Sequence, residues 1–159
     1  MAVRPAVLFV CTGNICRSPL AEAAFRVAAR RHGVEGLVDS AGTGDWHHGE
    51  APDRRAQMVA RRHGLDIGEY RARRVEVADF RTFTHIVALD PGHLKILDKR
   101  RPIDSTADLS LLLDHVPGRE GEGVADPYYG DARAFDVTWI DVCQGAEGLA
   151  LMLARVAAP

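Results

Sequence analysis

The residues best placed to do chemistry lie near the start of the chain, in Cys11-Thr12-Gly13-Asn14-Ile15-Cys16-Arg17-Ser18. A thiol opens this stretch and a guanidinium follows six residues later. Together they suit an oxyanion held against a sulfur nucleophile. Backbone N–H groups of a short loop that feeds a helix N-terminus bind phosphate-like anions. The same field, with an Arg nearby, favours thiolate over thiol at Cys11. Arg17 keeps its charge and offers a planar fork to two phosphate oxygens. The second candidate is Asp126, in Asp126-Pro127-Tyr128-Tyr129-Gly130. A carboxylic acid held over such a loop can protonate a leaving oxygen. Pro127 restricts Asp126 to extended conformations and so fixes its direction. An ordinary Asp-Pro turn is the alternative, as a buried structural thiol is for Cys11.

Elements must hold these groups in place. The loop directly follows the apolar run Ala6–Val10, as expected of a central parallel strand buried on both faces. It directly precedes Pro19-Leu20-Ala21-Glu22, so the order is strand, tight loop, helix. Ser18 is the expected N-cap, and Pro19 sits where a first helical turn tolerates proline. Glu22 falls one residue too late for a capping box and is expected to act only through the helix dipole. Leu20, Ala23, Ala24, Val27 and Ala28 recur at helical spacing, and Gly33 suits the helix end.

Further along, Leu37–Ser40 reads as a second strand and 41–49 as a glycine-rich loop. A helix is expected over Asp53–His63. The irregular stretch 65–74 carries Arg71, Arg73 and Arg74, read as a solvated charged face. A short turn or helix follows at Asp79–Phe83. His85–Leu89 is the third strand, Asp90 follows it, and His93–Arg100 is a short helix ended by Pro102. Ala107–Leu113 holds a fourth strand, and 117–124 is a surface loop. The last helix runs from Ala132 to Val156, with a stripe that includes Phe135, Trp139, Cys143 and Leu149. No internal repeat, linker or low-complexity segment interrupts the chain. Strands alternating with helices predict one α/β domain over residues 1–159: a four-stranded parallel sheet flanked by helices in three layers. Ligands of such sheets bind beyond the carboxyl ends of the strands. Cys11, Ser40 and Asp90 follow strand ends, and the fourth strand leads on to Asp126.

Composition bounds the reading. The chain has 159 residues, enough for one domain with a substantial core. Its apolar and charged fractions, 47% and 26%, are those of an ordinary globular protein. A net charge of −2 gives no reason to expect nucleic-acid or anionic-membrane partners. No apolar run reaches the roughly 18–20 residues of a membrane span. Met1-Ala2-Val3-Arg4-Pro5 has no signal-peptide layout. Three cysteines cannot all pair within the chain, which favours a reducing, cytoplasmic compartment.

Cys-x5-Arg followed by Ser resembles the signature of protein tyrosine phosphatases, and Val10–Glu22, VCTGNICRSPLAE, resembles the low-molecular-weight family in particular. The resemblance covers nearly the whole chain and is densest at 7–25, 40–49, 85–90 and 126–130. It implies a cytoplasmic enzyme that needs no metal: Cys11 forms a cysteinyl-phosphate, Arg17 and the loop from Thr12 to Ser18 hold the phosphate, and Asp126 acts as general acid. It implies that Asn14 and Ser40 shape the loop, that Ser18 bonds the thiolate, and that Asp90 anchors the site by pairing with Arg17. Trp46, Tyr128 and Tyr129 become walls for an aromatic phosphoester. Cys16 matches a second loop cysteine that can form a disulfide with the nucleophile in some members. At one place the chain departs from the family: some members carry a loop-supporting histidine where Tyr70 is the nearest counterpart. The implied partners are phosphotyrosine-containing proteins, a tyrosine kinase among the candidates, with the enzyme a monomer and no cofactor required.

Three other readings compete. An arsenate reductase of the same fold needs two more cysteines near the third strand, and Phe80–Arg100 contains none. A catalytically silent phosphate-binding module would lack Cys11, Arg17 or Asp126. A zinc site has only the adjacent His47 and His48 to add to the loop cysteines, and adjacent side chains point apart. A nucleotide-binding loop is excluded, since no Gly-x4-Gly-Lys-Ser/Thr occurs.

Overall fold

Alternate residues of the first strand, β1 (Ala6–Cys11), enter two different cores. Val7, Phe9 and Cys11 join one; Leu8 and Val10 join the other. A strand covered on both faces needs a continuous apolar run, which is why this one lacks polar alternation. The computed structural model describes residues 4–157. Met1, Ala2 and Val3, and with them most of the segment read as lacking a signal-peptide layout, lie outside the described residues.

β2 (Leu37–Gly42), β3 (His85–Ala88) and β4 (Asp108–Leu111) complete a parallel sheet of order β2-β1-β3-β4. Among the described residues, five helices cover it: α1 (Arg17–Arg31), α2 (Arg54–Arg62), α3 (Asp79–Thr82), α4 (Pro91–Arg100) and α5 (Ala132–Ala157). Leu20 and Phe25 of α1, Val59 of α2, and Phe135 and Leu149 of α5 fill one face. Phe80 of α3, Phe83 just past its end, and Leu97 of α4 fill the other. This is the three-layer α/β architecture expected from the alternation of elements. Among the described residues no helix is long and apolar enough to cross a membrane. The chain leaves β1 for β2 on one side and then crosses to β3 on the other. The loops after β1 and β3 therefore diverge and open a crevice at the carboxyl ends of the strands.

Several boundaries differ for physical reasons. β2 continues two residues beyond Ser40, because its end pairs with the end of β1: Cys11 stands opposite Gly42. Gly42 must stay small, since a Cβ there would lie 2.6 Å from the carbonyl oxygen of Thr12. β4 stops at Leu111, where Leu112–His115 turns into a 3₁₀ segment and Asp114 Oδ2 accepts the Leu111 N–H at 2.9 Å. α4 starts at Pro91, two residues early, because Asp90 caps it by accepting the His93 N–H at 3.0 Å. Arg71 and Arg74 are exposed, as a solvated face requires, but Arg73 is half-buried and pairs with Asp39 and Asp79.

The start of α1 corrects two expectations. Its N-cap is Cys16, with no side-chain cap, and Ser18 lies inside the first turn. The Ser18 hydroxyl is drawn instead toward Cys11 and Asn14. Glu22 is not a solvated dipole partner. It is buried, and its carboxylate accepts from Ser40 Oγ at 2.8 Å and from Arg26 Nη2 at 2.7 Å.

Candidate active site

Residues 11–17 run from the buried end of β1 to the N-terminus of α1. Neighbouring segments pin their carbonyls outward. Thr43 N–H donates to Cys11 O at 2.9 Å, Gly44 N–H to Thr12 O at 3.1 Å, and Asp53 N–H to Ile15 O at 2.9 Å. The N–H groups of residues 13–16 have no partner among the described residues. Such a set of free donors beside a helix N-terminus is a nest for an anion. The curl needs one left-handed residue. Asn14 takes it with φ 59°, the only non-glycine among the described residues with positive φ, and asparagine tolerates that region well.

Beneath the loop lies a chain of hydrogen bonds. Ser18 Oγ stands 3.0 Å from Cys11 Sγ. Asn14 Nδ2 donates to Ser18 Oγ at 2.7 Å and to Ser40 Oγ at 3.0 Å. The Ser18 oxygen thus receives a proton from behind, which leaves its own hydrogen to the sulfur at 3.0 Å or to the Ala41 carbonyl, a longer 3.5 Å away. Asn14 Oδ1 accepts the Arg73 N–H at 3.1 Å, and Ser40 Oγ donates to Glu22. Burial raises the Glu22 carboxyl above its ordinary range, against the pull of Arg26 and Ser40. Asn14 and Ser18 were both expected to contact substrate. Their side chains are buried under the loop and do not line the cavity above it, so they can act on a bound anion only through the backbone or through sulfur. Tyr70 is half-buried against the core, beside Glu22 and Arg26.

The opposite wall comes from the end of β3. Arg17 is buried, and its Nη1 donates to Asp90 Oδ2 at 2.8 Å and to Val124 O at 2.9 Å. Its Nη2 faces Asp126 Oδ2 at 3.6 Å. Burial alone would raise the Asp90 carboxyl; the His93 N–H and the Arg17 guanidinium outweigh it and hold it below the usual carboxylate range. Asp126 lies on the loop before α5, half-exposed, and its Oδ1 accepts the Tyr128 N–H at 3.1 Å. The geometry joins Cys11, Arg17, Asp90 and Asp126 although 115 positions of sequence separate the first from the last.

A cavity of about 460 Å³ opens over the loop. Cys11, Thr12, Gly13, Ile15, Cys16 and Arg17 form its floor. Trp46, Asp126, Tyr128 and Tyr129 stand around its mouth, with His47. Trp46 is 72% exposed and Tyr129 94%, so neither is serving as core, while Tyr128 is the most sheltered of the three. Burial, with Asp53 and Cys11 nearby, pushes the Cys16 thiol far up. Cys143 is half-buried on α5, away from this cavity, and burial pushes its thiol up to about 11. Among the described residues no three His, Cys, Asp or Glu side chains gather as a metal site. His47 Nδ1 pairs with Glu50 at 2.6 Å.

Three participants carry almost no signal in the sequence. His47 lies over Gly13, where its ring would be 2.9 Å from an added Cβ. Arg55 sits over the Tyr128 ring at 5.5 Å and donates to Gly130 O at 3.3 Å, and Asp53 holds it in place. It thereby ties α2 to the segment that carries Asp126. His93 reaches Thr12, 81 residues away. All three act through tertiary contact, and only the Asp-x-Arg spacing at 53–55 hinted at a local pair.

Comparison with known proteins gives a consistent picture. The family model described as low molecular weight phosphotyrosine protein phosphatase matches residues 6–158. A protein of that description from Schizosaccharomyces pombe is 38% identical over 86% of this chain and 88% of its own. A low molecular weight protein-tyrosine-phosphatase from Streptomyces coelicolor is 44% identical over 82% of each. The crystal structure of YfkJ from Bacillus subtilis superposes with a TM-score of 0.89 at 35% identity, covering 99% of both chains.

Proposed function

The chain belongs to the low molecular weight phosphotyrosine protein phosphatase family, and from that premise we propose that it hydrolyses phosphotyrosine through a cysteinyl-phosphate, with Cys11, Arg17 and Asp126 as its catalytic residues. The observation that carries the assignment of roles is the convergence on one cavity of a thiol, a buried guanidinium and a carboxylate, over a loop of unpaired N–H groups.

The Cys11 sulfur attacks phosphorus from the floor, in line with the leaving oxygen. The S–P bond forms as the P–O bond to the phenol breaks. The phosphoryl group passes through a loose transition state with charge on its equatorial oxygens. The loop N–H groups and the free edge of Arg17 meet that charge without reorganising. Asp90 and Val124 occupy Nη1, which turns Nη2 toward the phosphate. Asp126 gives its proton to the departing phenolate. It then takes one from the water that attacks the cysteinyl-phosphate, and inorganic phosphate leaves. The Ser18 hydroxyl supports the sulfur when it carries charge as the leaving group. Trp46, Tyr128 and Tyr129 flank the substrate ring.

The same reading assigns the enzyme to the cytoplasm, as a monomer acting on phosphotyrosine-containing proteins. The absence of cysteine from Phe80–Arg100 disfavours arsenate reduction. One side-by-side assay tests the proposal: phosphate release from phosphotyrosine and phosphoserine peptides, and arsenate reduction, all with chelator present. Phosphotyrosine alone should be turned over, and Cys11→Ser should abolish turnover while inorganic phosphate still binds. Labelled phosphate trapped on a residue other than Cys11 would refute the assigned nucleophile.

A further inference from the structure

We propose that His93 is a positioning residue of the phosphate-binding loop: its imidazole locks Thr12 to Asp90 and so ties the loop that bears the thiol to the carboxylate that aims Arg17. The inference rests on the phosphatase reading for its catalytic consequence, and on geometry for the link itself.

His93 lies in the first turn of α4 and is 4% exposed. Its Nε2 stands 2.8 Å from Thr12 Oγ1. Its Nδ1 faces Asp90 Oδ1 at 3.3 Å and, among the described residues, is buried without a hydrogen-bond partner. A buried nitrogen facing a carboxylate oxygen must present a proton to it, or two lone pairs would oppose each other. That assigns the hydrogen to Nδ1 and leaves Nε2 bare. Thr12 is then the donor, and its hydroxyl points at His93. The two oxygens of Asp90 divide their work: Oδ2 takes Arg17, and Oδ1 takes the His93 N–H and faces Nδ1. Thr12, His93, Asp90 and Arg17 thus form one chain around the cavity wall.

The chain needs the neutral ring. Burial, with Arg17 adding, lowers the His93 pKa to about 4, against the opposing pull of Asp90 and Asp126. A second proton would sit on Nε2 against Thr12, in a wall that already holds the Arg17 charge. The α4 cap itself uses the His93 backbone N–H and does not require the side chain. A role in capping therefore leaves the imidazole unexplained, whereas positioning of Thr12 and Asp90 accounts for both nitrogens.

Two replacements split the ring. The amide of His93→Asn can reach Asp90 but falls short of Thr12. That of His93→Gln can reach Thr12 but gives up the place of Nδ1. The test measures inorganic phosphate affinity by calorimetry, turnover of an aryl phosphate, and the melting temperature, for these two variants and for Thr12→Val, alone and combined. Thr12→Val and His93→Asn should each weaken phosphate binding about three- to tenfold, the worth of one hydrogen bond. Their combination should cost no more than either alone, because both cut the same link. His93→Gln should bind phosphate more tightly than His93→Asn, and adding Thr12→Val should erase that advantage. Losses that multiply, or phosphate affinity unchanged while only the melting temperature falls, would overturn the inference. Wild type that binds phosphate but turns over no aryl phosphate would instead refute the phosphatase reading, and the binding cycle would still decide the role of His93.

Discussion

At the scale of single residues, the acid and the second loop cysteine are the sharpest tests. Asp126→Asn keeps the shape and removes the transferable proton. Turnover of phosphotyrosine should fall by roughly 10²–10⁴, the usual worth of a general acid. The fall should be clearly smaller for an aryl phosphate whose electron-poor phenolate departs unaided. An equal loss across leaving groups would make Asp126 structural, and would direct attention to Asp90 and Asp131. The Cys16 thiol is buried and its pKa is driven up, so it stays protonated while Cys11 reacts. After mild peroxide it can still trap an oxidised Cys11 as a disulfide. Thiol should therefore restore peroxide-treated wild type, while Cys16→Ser should lose activity irreversibly. Full recovery of that variant would leave Cys16 a structural residue.

At the scale of elements, the strand–loop–helix unit was legible because its signals are local. A continuous apolar run, a loop with one asparagine able to curl left-handed, and a proline in the first turn all lie within about fifteen residues. Ser18 and Glu22 were misread for the opposite reason. By local rules a serine before proline is a cap and a glutamate near it serves the dipole; here Ser18 is spent on Asn14 of the curled loop and the Cys11 sulfur of β1, and Glu22 on Ser40 of β2. Thr12–His93 and Arg55–Gly130 span too much sequence for any periodicity to reveal them. Glu22 also makes the unit sensitive to pH. Its folded pKa lies above the ordinary value, so its protonated form favours the fold. That contribution is complete below the unfolded pKa and is lost as pH rises through the folded one. Glu22→Gln should therefore melt higher than wild type at neutral pH, with the gap closing as pH falls toward the usual glutamate range. Thermal melts across that span check it, and a gap that widens in acid would reverse the sign.

At the scale of the whole molecule, ligand and fold are linked. An anion that binds the native loop and not the unfolded chain stabilises by about 2.7 kcal/mol at a hundred times its Kd. For a chain of this length that should raise the melting temperature by roughly 5–10 °C. Phosphate should produce the shift in wild type and in Cys11→Ser. Arg17→Lys should blunt it, since a point charge cannot copy the fork; a full shift there would remove Arg17 from the site. The bond from Arg17 to the carbonyl of Val124 has a further consequence, in the order of synthesis. It joins residues 107 positions apart. During synthesis the nucleophile emerges 115 positions ahead of the acid. Until Phe135, Val142 and Leu149 of α5 emerge, α1 can pack only against β1, β2 and α2 and lacks its most extensive neighbour. A growing chain thus carries its thiol without its acid, and with Arg17 lacking the Val124 carbonyl that helps to aim it, until the segment that holds Asp126 has been made.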